Sequence, residues 1–201
     1  MGLFSKPTLI ILDVQNDFVP GGALPVPDGN EVVPFINGII GKYKSVIATK
    51  DWHPPKHCSF ASKHPGKFAG DRVDLEGMSQ VLWPDHCIQD TPGADYAAGL
   101  ETDKIEKVFE KGVNPRIDSY SGLYDNDFGR ATGLEDYLKE HKVKEAHIVG
   151  LATDYTVKFT ALDCVKAGFA TTVLLKGCRA LAKATEEEAL EEMKRHGVKI
   201  K

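Results

Sequence analysis

Thr8-Leu9-Ile10-Ile11-Leu12, closed by Asp13, is a short apolar run that ends in an acid. Consecutive apolar residues of this kind form strands buried on both faces of a sheet, not strands with one wet face. Four similar runs follow at 45–49, 104–109, 146–150 and 171–175. Amphipathic stretches lie between them. Residues 30–43 set Val33, Ile36, Ile40 and Tyr43 at helical spacing, and 134–141 is a shorter helix. Residues 154–167 follow Thr153-Asp154, a capping pair, and turn Val157, Ala161, Leu162 and Val165 inward. Residues 185–196 open on Glu and close on Lys, Arg and His, the order the helix dipole favours. A short last strand is expected at 198–200. Strand and helix alternate, which predicts an α/β fold: a mainly parallel central sheet with helices on both faces, Rossmann-like in three layers.

The chain of 201 residues reads as one domain over 1–201, with no repeat, low-complexity tract or linker to divide it. Apolar residues make up 42% and charged residues 27%, a globular composition. A net charge of -4 gives no basic surface for nucleic acid or an anionic membrane. No apolar run approaches the span of a bilayer. Met1-Gly2-Leu3-Phe4-Ser5-Lys6 lacks the features of a myristoylation or secretory signal, so a cytoplasmic protein is expected. Cys58, Cys87, Cys164 and Cys178 form no C-x-x-C pair and are expected to be free thiols. Oligomeric state is open, a homo-oligomer included.

Ligands of open parallel sheets bind beyond the carboxyl ends of the strands. There the chain offers Asp13 after the first strand, Asp51 and His53 after the second, Lys111 after the third, and Gly150-Leu151-Ala152-Thr153-Asp154 leading into a helix after the fourth. Taken alone, Lys111 reads as a solvated lysine. Asp51 and His53 are two apart and share one side of an extended chain. His86, in Trp83-Pro84-Asp85-His86-Cys87, is a third candidate ligand and His57 a fourth. A carboxylate with imidazoles suits one divalent ion, Zn²⁺ first, with Fe²⁺ or Mn²⁺ as alternatives. Spacing alone equally fits histidines that hydrogen-bond within a loop. The region 51–103, rich in Pro, Gly, His and Asp, has little periodicity. Long irregular segments of this kind usually carry function.

These stretches resemble the nicotinamidases (pyrazinamidases) of the isochorismatase-like cysteine hydrolases. The matching segments are Leu12-Asp13-Val14-Gln15-Asn16-Asp17-Phe18, Thr49-Lys50-Asp51-Trp52-His53-Pro54, Trp83-Pro84-Asp85-His86-Cys87, Phe109-Glu110-Lys111-Gly112 and Gly150-Leu151-Ala152-Thr153-Asp154-Tyr155. The resemblance implies hydrolysis of nicotinamide to nicotinate and ammonia in NAD salvage. It implies Asp13 as base, Lys111 as catalytic lysine, and metal ligands at Asp51, His53 and His86, with His57 less firmly carried over. It further implies a turn at Leu151-Ala152, commonly cis, and an oxyanion hole from the backbone N–H groups of Ala152 and residue 156. Phe18, Trp83, Tyr120 and Tyr155 are candidate walls for the pyridine ring. As ordinary residues, Phe18 and Trp83 would be core, and Tyr120 part of a loop.

The family reads cysteine after Asp-Tyr or Asp-His; this chain reads Asp154-Tyr155-Thr156. A helix N-terminus and a lysine both favour a thiolate, whereas a threonine hydroxyl is far less acidic and carries a restricting methyl group. Cys164 lies two helical turns on, roughly 12 Å along the axis, and cannot replace it. Three readings follow: a nicotinamidase impaired at its nucleophile position, a silent metal-dependent binder of pyridine amides, or an isochorismatase-like hydrolase of another substrate.

Overall fold

The computed structural model describes residues 6–201, so the reading of the first five residues as carrying no signal lies outside the described residues. Six strands form one parallel sheet: β1 (Thr8–Leu12), β2 (Val46–Asp51), β5 (Lys107–Lys111), β6 (Glu145–Leu151), β7 (Ala170–Arg179) and β8 (Lys199–Ile200). Their order across the sheet is β5-β2-β1-β6-β7-β8. The remaining strands, β3 (Arg72–Leu75) and β4 (Met78–Val81), form a separate antiparallel hairpin inside the region expected to be irregular. Four helices cover the sheet: α1 (Val32–Ile40), α2 (Leu134–Glu140), α3 (Lys158–Lys166) and α4 (Lys183–Arg195). None of the helices among the described residues is long and apolar enough to cross a membrane.

The first strand shows why the sheet is buried on both sides. Leu9 and Ile11 pack with Val32, Val33, Ile36 and Ile40 of α1. Ile10 and Leu12 face the other way, toward Ile47, Phe109, Val157, Ala161, Cys164 and Met193. Alternate side chains thus feed two cores, as the period of two requires. Gly150 sits where β6 passes β1, and a Cβ there would overlap the Leu12 backbone.

Three helical expectations need correction. Residues 153–157 form a π-helical turn before α3 begins at Lys158. The buried face of α3 is Thr160, Ala161 and Cys164, whereas Leu162 and Val165 are only partly buried. Val157 and Ala161 are buried as their spacing indicates, and Leu162 and Val165 flank that face, packed against the same core. Asp154 caps no residue of its own helix; its carboxylate accepts from Leu181 N at 3.0 Å, Ala182 N at 3.3 Å and the Thr185 hydroxyl, at the entry to α4. Tyr43 lies beyond the end of α1 and hydrogen-bonds His147 Nδ1 at 2.7 Å.

Candidate active site

The chain runs outward from β1 to β2 and β5 on one side and to β6, β7 and β8 on the other, so the strand order reverses at β1. The crevice at such a reversal is where open α/β sheets bind ligands. Asp13, Asp51, Lys111 and the turn after β6 meet there. Asp13 follows β1 directly with φ +48°, a left-handed conformation that Asp tolerates better than most residues. It turns the carboxylate into the crevice. Asp51 and Lys111 are in-register partners of β2 and β5. Lys111 is 2% exposed, so the reading of it as a solvated lysine fails. Its ammonium lies 2.9 Å from Asp13 Oδ2 and 2.8 Å from Asp51 Oδ1, and donates to Ser119 O at 2.9 Å. Three acceptors saturate its three donors.

Thr156 Oγ1 donates to Asp13 Oδ2 at 3.1 Å, and Thr49 donates to Asp13 Oδ1. The Leu151–Ala152 peptide is cis. In the π-turn, Tyr155 N and Val157 N both donate to Ala152 O at 3.1 Å, while the N–H of Thr156 between them does not join them. Cys164 is fully buried among the core residues behind α3, and burial raises its thiol pKa.

His53 and His86 bring their Nε2 atoms to 3.4 Å from Asp51 Oδ1 and 3.6 Å from Asp51 Oδ2. His53 donates from Nδ1 to Gly112 O at 2.9 Å, and His86 from Nδ1 to Pro84 O at 2.7 Å. Those bonds fix the tautomers, so both neutral rings aim Nε2 lone pairs at a carboxylate. Acceptors facing acceptors in a buried site call for a cation between them. The donor set fits a divalent ion, and the backbone carbonyls orient its imidazoles. Gln15 pins the Asp51 backbone from both sides, donating to Asp51 O and accepting from Asp51 N, each at 2.8 Å. Asp17 accepts from Cys87 N at 2.7 Å and so holds the turn that carries His86.

His57 stands outside this trio. Its Nε2 faces Ile117 O at 3.3 Å and its Nδ1 meets Ser59 Oγ at 2.7 Å, so no lone pair is free for the ion. It groups instead with His53 and Asp118. Burial, then the neighbouring His53, lowers its pKa to about 4, which keeps the ring neutral.

The buried charges support the same conclusion. Lys111 pairs with both Asp13 and Asp51, leaving two buried carboxyl groups against one ammonium, with Asp118 also buried on the cleft wall. Burial would raise the Asp51 pKa, but Lys111 and His53 outweigh it and hold the carboxyl well below the usual range. For Asp13, burial outweighs Lys111, and Asp51 adds to the rise. Asp13 is therefore the group of the pair that takes up a proton, which suits a base. Burial opposes protonation of His53, but the Asp51 carboxylate beside it raises its pKa.

A narrow cleft opens onto these groups, with about 410 Å³ of empty space, mouth included. Phe18, Trp83, Tyr120 and Tyr155 all line it, as do Asp51, His86, Lys111, Ala152 and Thr156. Trp83 and Tyr155 meet edge to face at 5.0 Å, and Tyr120 meets Tyr155 at 5.4 Å. Phe18 belongs both to the core beneath and to the cleft. Leu24, Val26, Asp118 and Leu181 also line the cleft and were not foreseen. No periodicity or motif singles them out; loops bring them in.

The isochorismatase domain model matches residues 7–200. A nicotinamidase of Escherichia coli (strain K12) is 44% identical over 177 residues, covering 86% of this chain and 83% of that protein. The solved structure of an Acinetobacter baumanii nicotinamidase and pyrazinamidase superposes with a TM-score of 0.94 at 42% identity, covering 96% of this chain and 94% of that one. A Pyrococcus horikoshii pyrazinamidase solved in complex with zinc gives a TM-score of 0.81 at 37% identity, with 98% and 99% covered. The chain belongs to the isochorismatase family, on its nicotinamidase and pyrazinamidase branch.

Proposed function

We propose that this chain is a nicotinamidase-type amide hydrolase that binds nicotinamide in the cleft and turns it over very slowly, because Thr156 stands where the reaction needs a thiol. The observation that carries this reading is the 3.1 Å hydrogen bond from Thr156 Oγ1 to Asp13 Oδ2, beside the Lys111 ammonium. It is a nucleophile–base pair with the wrong nucleophile. The relatives named above, nicotinamidases by description, support the substrate.

Asp51, His53 and His86 would hold the ion, and the zinc of the Pyrococcus horikoshii relative favours Zn²⁺ over Fe²⁺ or Mn²⁺. The ion, when bound, supplies a Lewis-acidic anchor for the pyridine nitrogen. Phe18, Trp83, Tyr120 and Tyr155 enclose the ring. Asp13 takes the proton of residue 156 as that side chain attacks the carboxamide carbon. Backbone N–H groups at Ala152 and Thr156 receive the oxyanion. Asp13 returns its proton to the departing ammonia as the C–N bond breaks, and water then hydrolyses the ester to nicotinate. Lys111 keeps Asp13 oriented and balances its charge.

A thiol has an intrinsic pKa of about 8.5, and each further pKa unit to be overcome costs roughly 1.4 kcal/mol. An alkyl hydroxyl lies many units higher, while a helix terminus recovers only about 0.3–1 kcal/mol. Thr156→Cys, with Asp13 and Lys111 untouched, should therefore raise the single-turnover rate on nicotinamide by several orders of magnitude. The second reading, a silent binder of pyridine amides, draws on the same threonine. It predicts metal-dependent binding with no turnover in the parent chain. A parent that already matches the cysteine variant overturns the assigned role of Thr156. A metal-loaded cysteine variant that stays inert overturns the hydrolase reading.

A further inference from the structure

Tyr120 stands in a loop without regular structure between β5 and α2, yet it lines the cleft. Its ring leans on Phe159 at 5.4 Å, on Tyr155 at 5.4 Å and on Trp83 at 6.5 Å. Aromatic contacts of this kind contribute only about 0.5–1.5 kcal/mol each beyond the area they bury. Something must fix it if a planar ligand is to be gripped.

Gln80 of β4 is the group that does so. It is the one buried residue of β4, and 5% exposed. Its Nε2 lies 2.9 Å from Asp118 Oδ2, 3.1 Å from the Tyr120 hydroxyl and 2.7 Å from Val81 O, and its two N–H groups are shared among these three acceptors. Turning the amide over would aim its oxygen at a carboxylate and a carbonyl, so the surroundings dictate the orientation. Two of the three acceptors, Asp118 and Tyr120, line the cleft; Gln80 itself does not. If the amide served only to seat the hairpin on the body, its partners would be expected among backbone carbonyls. They are mainly the side chains that face the ligand.

We infer that Gln80 is a positioning residue for the bound pyridine ring: from the β3–β4 hairpin, its amide sets Tyr120 and Asp118 in the places the ligand meets. The inference rests on the cleft being a pyridine-amide site. A hydrogen bond of this kind, with a partly charged set of acceptors, corresponds to about a tenfold effect on an equilibrium.

The test is nicotinate binding to the Zn²⁺-loaded full chain by calorimetry, alongside metal content and the urea midpoint. Gln80→Met fills the same space without donors and should weaken nicotinate about tenfold, with metal content and midpoint close to the parent's. Gln80→Glu keeps the shape but faces Asp118 with an acceptor, and should lose at least as much. Tyr120→Phe keeps the ring and removes the bonded hydroxyl. Because Gln80 and Tyr120 act through one bond, Gln80→Met with Tyr120→Phe should bind no worse than the weaker single variant. Losses that add, or affinity that falls only in step with the urea midpoint, overturn the positioning role and leave the pyridine-amide reading intact. A metal-loaded parent that binds neither nicotinate nor nicotinamide overturns both.

Discussion

Gly112 has a φ of +63°, and its carbonyl accepts from His53 Nδ1. A Cβ there would overlap the His53 ring, 2.6 Å from Nδ1, and lie 3.1 Å from Asp51 Oδ1. The missing side chain thus lets the residue just past β5 orient an imidazole two residues past β2, while Lys111, one residue earlier, holds the carboxylate. Gly112→Ala should leave the chain folded but displace His53, and a loss of the outer partner of a metal-binding histidine typically costs 10–100-fold in affinity. Chelator competition measures this directly; an alanine variant that holds the divalent ion as tightly as the parent would contradict the role. His53→Ala, which removes the ligand itself, should abolish the ion, and full metal content in that variant would sink the assignment of the centre. At this scale the sequence was informative where chemistry is local. Asp51-x-His53 shows its shared face in its spacing. Gln15, which braces the Asp51 backbone, and Gln80 show nothing, because Asp51 lies 36 residues from the one and Asp118 38 from the other.

At the scale of elements, strands extended further into polar sequence than apolar runs indicate. The third run was expected at 104–109, yet β5 spans Lys107–Lys111. It reaches Lys111 because the register brings that residue opposite Asp51, where an ion pair replaces apolar contact. β7 runs to Arg179 through an irregularity opposite Ile148 and Gly150, an event no alternation encodes. The hairpin β3–β4 went unread because only Gln80 of β4 is buried, so it has no apolar face to betray it. Asp154 is the clearest case of a residue noticed for one task and used for another. The entry to α4 has Ala182 at its cap position, with no side chain able to accept, and Asp154 supplies the acceptor from the π-turn. It thereby ties Leu181, a cleft residue, to the turn that carries Thr156. Asp154→Ala leaves the N–H groups of Leu181 and Ala182 without their acceptor, while the Thr185 hydroxyl keeps Ala182 O. It should cost about 2–3 kcal/mol in urea unfolding, given that bonds to charged groups contribute roughly 1.5–3 kcal/mol each and water will replace part of the loss. Asp154→Asn, which keeps one oxygen, should cost less. Equal stability of the alanine variant and the parent would refute the tertiary cap.

Across the whole molecule, the alternation of strands and helices was enough to place four polar strand ends on one rim, because a parallel sheet sends every carboxyl end the same way. The order of strands was not legible, since pairing between β5 and β2 or β6 and β1 depends on contacts distant in sequence. That order concentrates charge. Asp13, Asp51, Asp118 and Lys111 are buried together, and two imidazoles add lone pairs and no charge when neutral. Burying such a set without its cation opposes folding, so the ion should act as a stabilising ligand of the native state. Binding at 100-fold above the dissociation constant contributes about 2.7 kcal/mol. For a chain of this size, about 1 kcal/mol moves the melting temperature by roughly 2–4 °C. Stripping the divalent ion with a chelator should therefore lower the melting temperature by about 5–10 °C, and restoring it should recover the loss. His86→Ala should melt near the stripped parent and respond little to the chelator. The decisive measurement is a thermal scan at fixed protein concentration with metal content assayed in each sample. A parent that loses its ion yet melts unchanged would show that the fold tolerates the uncompensated cluster, and the argument from buried charge would fail.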